Sequence, residues 1–134
     1  MEKLINLLEE FIKLSEKNQE KNIFIQKIKS EDYFKYLPGE IEEVKAEFRE
    51  NNSVYLEDEL ADVLWVYLNL LNKLELDKMI TSREKVIKRG LKKFGERIAN
   101  LDQTSLDERK KYWSEIKKKQ KQELTEEHNN KYNK

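Results

Sequence analysis

The stretch that decides the fold is GEIEEVKAEFRENNSVYLEDELADVL, residues 39–64. It carries two acidic pairs, Glu40 with Glu43 and Glu59 with Asp62, and fifteen residues separate the pairs. Positions i and i+3 of an α-helix share one face, with Cβ atoms roughly 5–6 Å apart, so two antiparallel helices would bring all four carboxylates together. Carboxylates gathered in a helical core are costly without a cation or a hydrogen-bonded partner. The pattern therefore predicts a magnesium site.

The composition of the chain indicates an all-α protein. Only three glycines and one proline occur among 134 residues, and the helix-favouring residues Glu, Lys and Leu are abundant. Hydrophobic residues make up 37% of the chain, which leaves little apolar surface for a core. We therefore predict a helical bundle of four to five helices that oligomerisation completes. Because cysteine is absent, disulfides and cysteine zinc sites are excluded.

The chain carries no sequence signal for a membrane or for secretion. Its start, MEKLINLLEEFIKL, places acidic residues inside the apolar pattern, unlike the apolar region of a signal peptide. The longest apolar segment, Leu60–Leu71, is far shorter than the ~20 residues of a membrane span. We therefore expect a cytoplasmic protein that does not enter a membrane.

The formal net charge is zero, but the charges are segregated along the chain. Residues 40–62 contain nine acids and two bases, a net charge of −7, whereas residues 78–97 contain eight bases and two acids, a net charge of +6. An acidic helix pair followed by a basic helix suits a ligand that is both metal-bound and anionic. The balanced total argues against a nucleic acid partner.

The apolar spacing predicts a first amphipathic helix over residues 4–14 and a broken helix over 18–37. Pro38 is acceptable at the first position of a helix, which would put Glu40 in the first turn of a helix that runs to about residue 50. The sequence Asn51-Asn52-Ser53 then predicts the loop of a helical hairpin.

The next predicted helix, residues 56–74, is apolar on most of its circumference and is therefore expected to be buried. At ~100° per residue, its polar side chains form a single stripe of Glu59, Asp62, Asn69 and Lys73. We interpret this stripe as the place where chemistry occurs.

A capping box at Thr81–Glu84 predicts a basic helix that runs to about Leu101. Tyr112, Trp113 and Ile116 predict one more helix, after which the polar end is expected to fray. We therefore divide the chain into a helical domain, residues 1–106, and a charged C-terminal helix with a polar tail, residues 107–134.

Two other kinds of protein also fit parts of this pattern. A di-iron bundle would need Glu-x-x-His on two helices, but the only histidine is His128, near the end of the chain. A non-catalytic helical interaction protein, in which acidic and basic helices pair through salt bridges, stays open as an alternative.

The acidic hairpin resembles the MazG-type all-α nucleoside triphosphate pyrophosphohydrolases. Residues 39–44 and 56–64 are similar to the Glu-x-x-Glu and Glu-x-x-Asp signature of that family, in its usual spacing and with its apolar run. Tyr36-Leu37 resembles the family's lead-in, and Lys93-Phe94 with Arg97 is similar to its following basic helix. The resemblance covers about residues 25–100.

The resemblance implies cleavage between the α and β phosphates of a canonical or non-canonical nucleoside triphosphate, deoxynucleotides included, with release of a monophosphate and pyrophosphate. It implies an enzyme that uses Mg²⁺, or Mn²⁺ as a substitute, and it suggests a house-cleaning role. We expect a homodimer or a tetramer. The expected catalytic and metal-binding residues are Glu40, Glu43, Glu59 and Asp62. The expected substrate-binding residues are Asn69, Lys73, Lys92, Lys93 and Arg97, although a solvated face is an equal explanation for each basic residue.

Overall fold

The computed structural model of the protein describes residues 1–99 and 105–132, and these residues form helices and no strand. Within these described residues, six α-helices and one 3-10 turn follow one another: α1 Glu2–Lys21, α2 Ile23–Lys27, the 3-10 turn Ser30–Asp32, α3 Tyr33–Ala46, α4 Ser53–Leu76, α5 Arg83–Ile98 and α6 Leu106–Tyr132. The prediction of an all-α fold is confirmed, with more helices than the predicted four to five. None of the described helices is long and apolar enough to cross a membrane.

The chain divides into two compact units, Met1–Arg83 and Glu84–Lys134. In the first unit, α4 packs against both α1 and α3. The predicted division into residues 1–106 and 107–134 stays a prediction.

The predicted break between the first helix and the acidic helix is confirmed. Helix α1 ends at Lys21 and is followed by Asn22, whose Oδ1 accepts hydrogen bonds from the backbone N–H groups of Phe24 (3.0 Å) and Ile25 (3.4 Å). This side chain satisfies N–H groups that the start of a helix leaves without partners. Asn22 therefore ends α1 and begins α2.

The prediction that the acidic helix begins at Pro38 is wrong, because α3 begins at Tyr33 and contains Pro38 in its interior. The 3-10 turn starts the helix earlier: the Lys29 N–H donates to Asp32 Oδ2 at 2.9 Å and fixes the entry of the chain. Glu40 consequently lies in the second half of α3 rather than in its first turn.

Helix α3 also ends at Ala46, before the predicted end at about residue 50. Asn51 adopts a positive φ of 56°, a backbone conformation that a continuing helix excludes. The side chain of Asn52 donates to the Glu47 carbonyl (2.7 Å) and to Glu47 Oε2 (2.8 Å). These bonds close the loop of the predicted hairpin.

The centre of the first unit is unusually polar. Tyr33, Leu70 and Leu71 are its buried hydrophobic residues, and the buried polar residues are Ser15, Ser30, Asn69, Asn72 and Lys73. Asn72 Nδ2 donates to Ser15 Oγ at 3.0 Å, so a hydrogen bond joins α1 and α4 in the interior. The predicted burial of the apolar helix is confirmed for residues 69–73, whereas Leu60 in its first half is 49% exposed in the single chain.

The second unit is a pair of charged helices. Arg89 pairs with Glu127 at 2.7 Å and Lys92 with Glu123 at 2.8 Å, so basic residues of α5 contact acidic residues of α6. Helix α6 runs to Tyr132, so the prediction that its polar end frays is wrong. The predicted end of the basic helix at Leu101 lies outside the described residues.

Candidate functional site

The structure brings together the four carboxylates of the two acidic pairs. Glu40 and Glu43 lie on α3, Glu59 and Asp62 lie on α4, and the short loop 47–52 makes the two helices neighbours. Each side chain offers one oxygen, and these oxygens all lie within 4.8 Å of one another. The i, i+3 spacing within each helix thus produces the cluster that the sequence predicts.

The cluster is electrostatically unfavourable without a cation. Burial raises the pKa of the Glu40 carboxyl group above its ordinary value of 4.5, and the neighbouring Glu43 carboxyl raises it further. Burial also raises the pKa of Glu59, and the negative charges of Glu43 and Asp62 add to this effect. The fold therefore holds carboxylates where their ionised forms are disfavoured.

The hydrogen bonding of the cluster is incomplete as well. Glu40 Oε2 and Glu59 Oε2 are buried and accept no hydrogen bond. Within the part of the chain that the structure describes, none of the four carboxylates forms an ion pair with a lysine or an arginine. Buried acceptors without donors carry a desolvation cost, which a bound cation would remove. An all-oxygen set of ligands suits a hard cation such as Mg²⁺.

A cavity of about 420 Å³ opens beside the carboxylates. Glu40 and Glu43 form one part of its wall, and Trp65 and Asn69 of α4 form another. The remaining lining residues are Ile25, Ile28, Tyr33, Lys35, Tyr36, Gly39 and Val66. An apolar and aromatic cavity with a few polar groups, next to an acidic cluster, has the features of a small-molecule site.

Asn69 and Lys73 differ in their relation to this cavity. Asn69 lines it and is only 2% exposed; its Nδ2 donates to the Trp65 carbonyl at 2.8 Å, and its Oδ1 accepts from Asn18 Nδ2 at 3.0 Å. Lys73 is 7% exposed and donates to the Gln26 carbonyl at 3.3 Å, but it does not line the cavity.

The predicted phosphate-binding residues Lys92, Lys93 and Arg97 lie in the second unit, where they have other partners. Lys92 pairs with Glu96 at 3.1 Å in addition to its α6 partner. The charged groups of Lys93 and Arg97 lie over the ring of Phe94, 5.6 and 5.3 Å from its centroid. Their role with substrate stays a prediction.

The sequence allows two interpretations of Trp65 and Trp113: either could stack on a base, but aromatic residues at helical spacing belong more often to a core. Trp65 does pack against Phe11, with ring centroids 5.4 Å apart, but it also lines the cavity. Its position three residues after Asp62 places it on the same face of α4, and this spacing is the signal that could have identified it.

Comparisons with known proteins agree with this geometry. The family model for the MazG nucleotide pyrophosphohydrolase domain matches residues 28–102, more than half of the chain. A crystal structure of a MazG-related protein from Thermotoga maritima is similar to this chain, with a TM-score of 0.74 and 28% sequence identity. That similarity covers 82% of this chain and 98% of the other. No curated protein matches the chain.

Proposed function

Because the chain belongs to the MazG nucleotide pyrophosphohydrolase family, we propose that it hydrolyses nucleoside triphosphates to a nucleoside monophosphate and pyrophosphate, with Mg²⁺ as cofactor. The observation that carries this proposal is the cluster of four carboxylate oxygens within 4.8 Å of one another, at the edge of a cavity of about 420 Å³. The proposed substrates are canonical or non-canonical triphosphates, deoxynucleotides included.

In the proposed reaction, a water oxygen forms a bond to the α-phosphorus and the bond from that phosphorus to the α,β-bridging oxygen breaks. The electron pair of the broken bond leaves with pyrophosphate. Glu40, Glu43, Glu59 and Asp62 would hold Mg²⁺, and Mn²⁺ would substitute. When bound, the cation polarises phosphoryl oxygens and lowers the pKa of a water molecule. The carboxylates would hold the cation at the edge of the cavity, and a carboxylate oxygen is available to take up the proton of the attacking water.

The cavity is the proposed binding place of the nucleoside. Its side next to Glu40 and Glu43 would receive the phosphate end, while Trp65 and Asn69 would contact the remainder of the nucleotide. Lys73, Lys92, Lys93 and Arg97 are proposed to contribute positive charge toward the phosphates. A cytoplasmic location stays a prediction from the sequence.

We also propose that the protein is a homodimer or a tetramer. Support comes from apolar residues of α1 and α4 that are exposed in the single chain: Leu4, Leu7, Leu8, Leu14, Leu60 and Leu64. Burying such a surface is the usual driving force of association. Light scattering should give a multiple of 16.3 kDa, and a monomer at micromolar concentration would contradict this proposal.

A substrate screen tests the proposed function. Nucleoside triphosphates and diphosphates are incubated with the protein and Mg²⁺, and monophosphate, pyrophosphate and inorganic phosphate are measured separately. We expect monophosphate and pyrophosphate in equal amounts from triphosphates, and no product in excess chelator. Release of inorganic phosphate alone would assign a different reaction. Calorimetry of Mg²⁺ binding separates an enzyme from a non-catalytic interaction protein, which would bind no Mg²⁺ at this cluster.

A further inference from the structure

Three asparagine side chains form a hydrogen-bonded row between α1 and the cavity. Asn22 Nδ2 donates to Asn18 Oδ1 at 2.9 Å, and Asn18 Nδ2 donates to Asn69 Oδ1 at 3.0 Å. Asn69 Nδ2 then donates to the Trp65 carbonyl at 2.8 Å. The row thus joins the residue that caps α2 to a residue that lines the cavity.

Backbone groups at the two ends fix the direction of every amide in this row. At one end the Trp65 carbonyl can only accept, so Asn69 must direct its nitrogen toward it and its oxygen toward Asn18. At the other end the N–H groups of Phe24 and Ile25 can only donate, so Asn22 must direct its oxygen toward them and its nitrogen toward Asn18. Asn18 completes the row in only one orientation. Reversing any one amide would place two donors or two acceptors opposite each other.

Asn69 keeps unused hydrogen-bonding capacity in its fixed orientation. Its amide nitrogen carries a second N–H, and its oxygen has a second lone pair. The side chain lines the cavity together with Glu40. Asn69 follows Asp62 by seven residues on α4, about 10 Å along the helix axis at 1.5 Å per residue. Asn69 therefore lies about two helical turns from Asp62, at the part of the cavity proposed for the nucleoside.

Resting on the proposed function, we propose that Asn18 and Asn22 are positioning residues that orient the Asn69 amide toward the nucleobase and thereby set the base preference of the enzyme. The ligand group is the edge of the base: every standard base presents a hydrogen-bond donor and an acceptor side by side, and an Asn69 amide of fixed orientation distinguishes bases in which these two groups stand in opposite order. Asn22 also caps α2 by accepting from the Ile25 N–H. The row therefore fixes the position of Ile25, which lines the cavity, relative to Asn69.

Two nearly isosteric variants cut the row at different bonds. Asn18→Asp can still accept from Asn22 but cannot donate to Asn69 Oδ1. Asn22→Asp can still cap α2, since aspartate is as good an N-cap as asparagine, but it cannot donate to Asn18. Asn6→Asp makes the same chemical change at an exposed position of α1 and serves as the matched control.

The readout is kcat/KM for ATP, GTP, CTP and UTP with Mg²⁺, together with a melting curve for each variant. We expect Asn18→Asp to reduce the preference for the best base over the next by about tenfold, as the loss of one oriented hydrogen bond would. A smaller reduction is expected for Asn22→Asp, and none for Asn6→Asp. An added negative charge changes all four values together and cancels in the ratio.

An equal fall of all four values, with the ratios unchanged, would overturn the proposal and leave the row a structural feature. A wild-type enzyme without any base preference would also overturn it. If the Asn18→Asp protein does not fold, the proposal is decided by Asn22→Asp, which retains the cap of α2. The deciding quantity is then the ratio of kcat/KM for the best base over the next in that variant.

Failure of the proposed function has a different signature. If the wild type hydrolyses no triphosphate, calorimetry with the four nucleoside monophosphates replaces the kinetic ratios. Selective binding that Asn18→Asp removes would support the row as a base-positioning device in a protein of another activity. Absence of selective binding would overturn it.

Discussion

Two groups of charged residues in this protein have opposite electrostatic character. Around Glu40 and Glu59, like charges crowd together and the pKa values of both carboxyl groups are raised, mainly by burial. In the helical pair α5–α6, the pKa of Glu127 is lowered by its hydrogen bond with Arg89, and the pKa of Glu96 is lowered by hydrogen bonds with Gln120 and Lys92. Acids that face bases support the fold. Acids that face one another oppose it, which is the arrangement that a bound cation would stabilise.

The largest effect is expected for substitutions within the acidic cluster. Glu43→Gln or Asp62→Asn should lower kcat by ~10² or more, because each removes a charge from the group that holds the cation and the reacting phosphate. Pyrophosphate release at saturating nucleotide and Mg²⁺ measures the effect.

Glu127→Gln is the control for this prediction, since it makes the same chemical change among the paired charges of the second unit. Its kcat should equal that of the wild type. Equal losses in all three variants would mean that the acidic cluster has no special role in the reaction.

The next effect concerns thermal stability with and without the cation. Mg²⁺ should raise the melting temperature of the wild type, because a ligand that binds only the folded state stabilises it. Glu43→Gln should lose most of this increase while its metal-free stability holds or rises, since one repelling charge is gone. A Glu43→Gln protein that melts lower than the wild type in excess chelator would show that the cluster is stabilising, contrary to our interpretation.

A third prediction uses pH to separate the two groups of acids. The pKa of Glu59 is raised, so the folded state binds its proton more tightly than the unfolded state does. The stability that Glu59 contributes is therefore present below about pH 4.5 and is lost as pH rises through the raised pKa. For Glu127, the lowered pKa gives the reverse: its contribution is present above about pH 4.5 and is lost as pH falls through the lowered pKa.

Urea denaturation in excess chelator, at several values between pH 3 and pH 8, gives the free energy of unfolding of the wild type and of each variant. The contribution of Glu59 is the difference between the wild type and Glu59→Gln, and that of Glu127 is the difference between the wild type and Glu127→Gln. The two difference curves should have opposite slopes. Parallel curves would contradict the contrast drawn between the two regions.

The smallest effect is expected for the ion pair of Arg89 with Glu127, whose side chains are about half exposed. Exposed pairs contribute little, so Arg89→Gln should lower the melting temperature by at most a few degrees. The difference should shrink at 1 M NaCl, where charges on the surface are screened. A large, salt-independent loss would mean that this contact is structurally essential.

The sequence was sufficient to predict the acidic cluster, because the i, i+3 spacing on two neighbouring helices fixes where Glu40, Glu43, Glu59 and Asp62 meet. It was insufficient for the start of α3, since the turn before Tyr33 depends on reciprocal hydrogen bonds between Lys29 and Asp32. The sequence also did not reveal the ion-pair partners of the basic residues of α5, such as Glu123 for Lys92. The pairing of α5 with α6 joins residues about 30 to 40 positions apart, and helical periodicity within one segment carries no information about such contacts.

The adjacent residues Pro38 and Gly39 lie inside α3, between its aromatic half, which begins at Tyr33, and its acidic half, which begins at Glu40. Proline has no N–H, so the Phe34 carbonyl lacks the usual bond from four residues ahead. Glycine costs about 1 kcal/mol relative to alanine within a helix, and a Cβ on Gly39 would meet no atom within 4 Å, so no steric need explains it. The dipeptide therefore lowers the stability of α3 at the point where the aromatic half of the helix meets its acidic half. In hydrogen exchange, the backbone amides before Pro38 should exchange faster than those after Glu40.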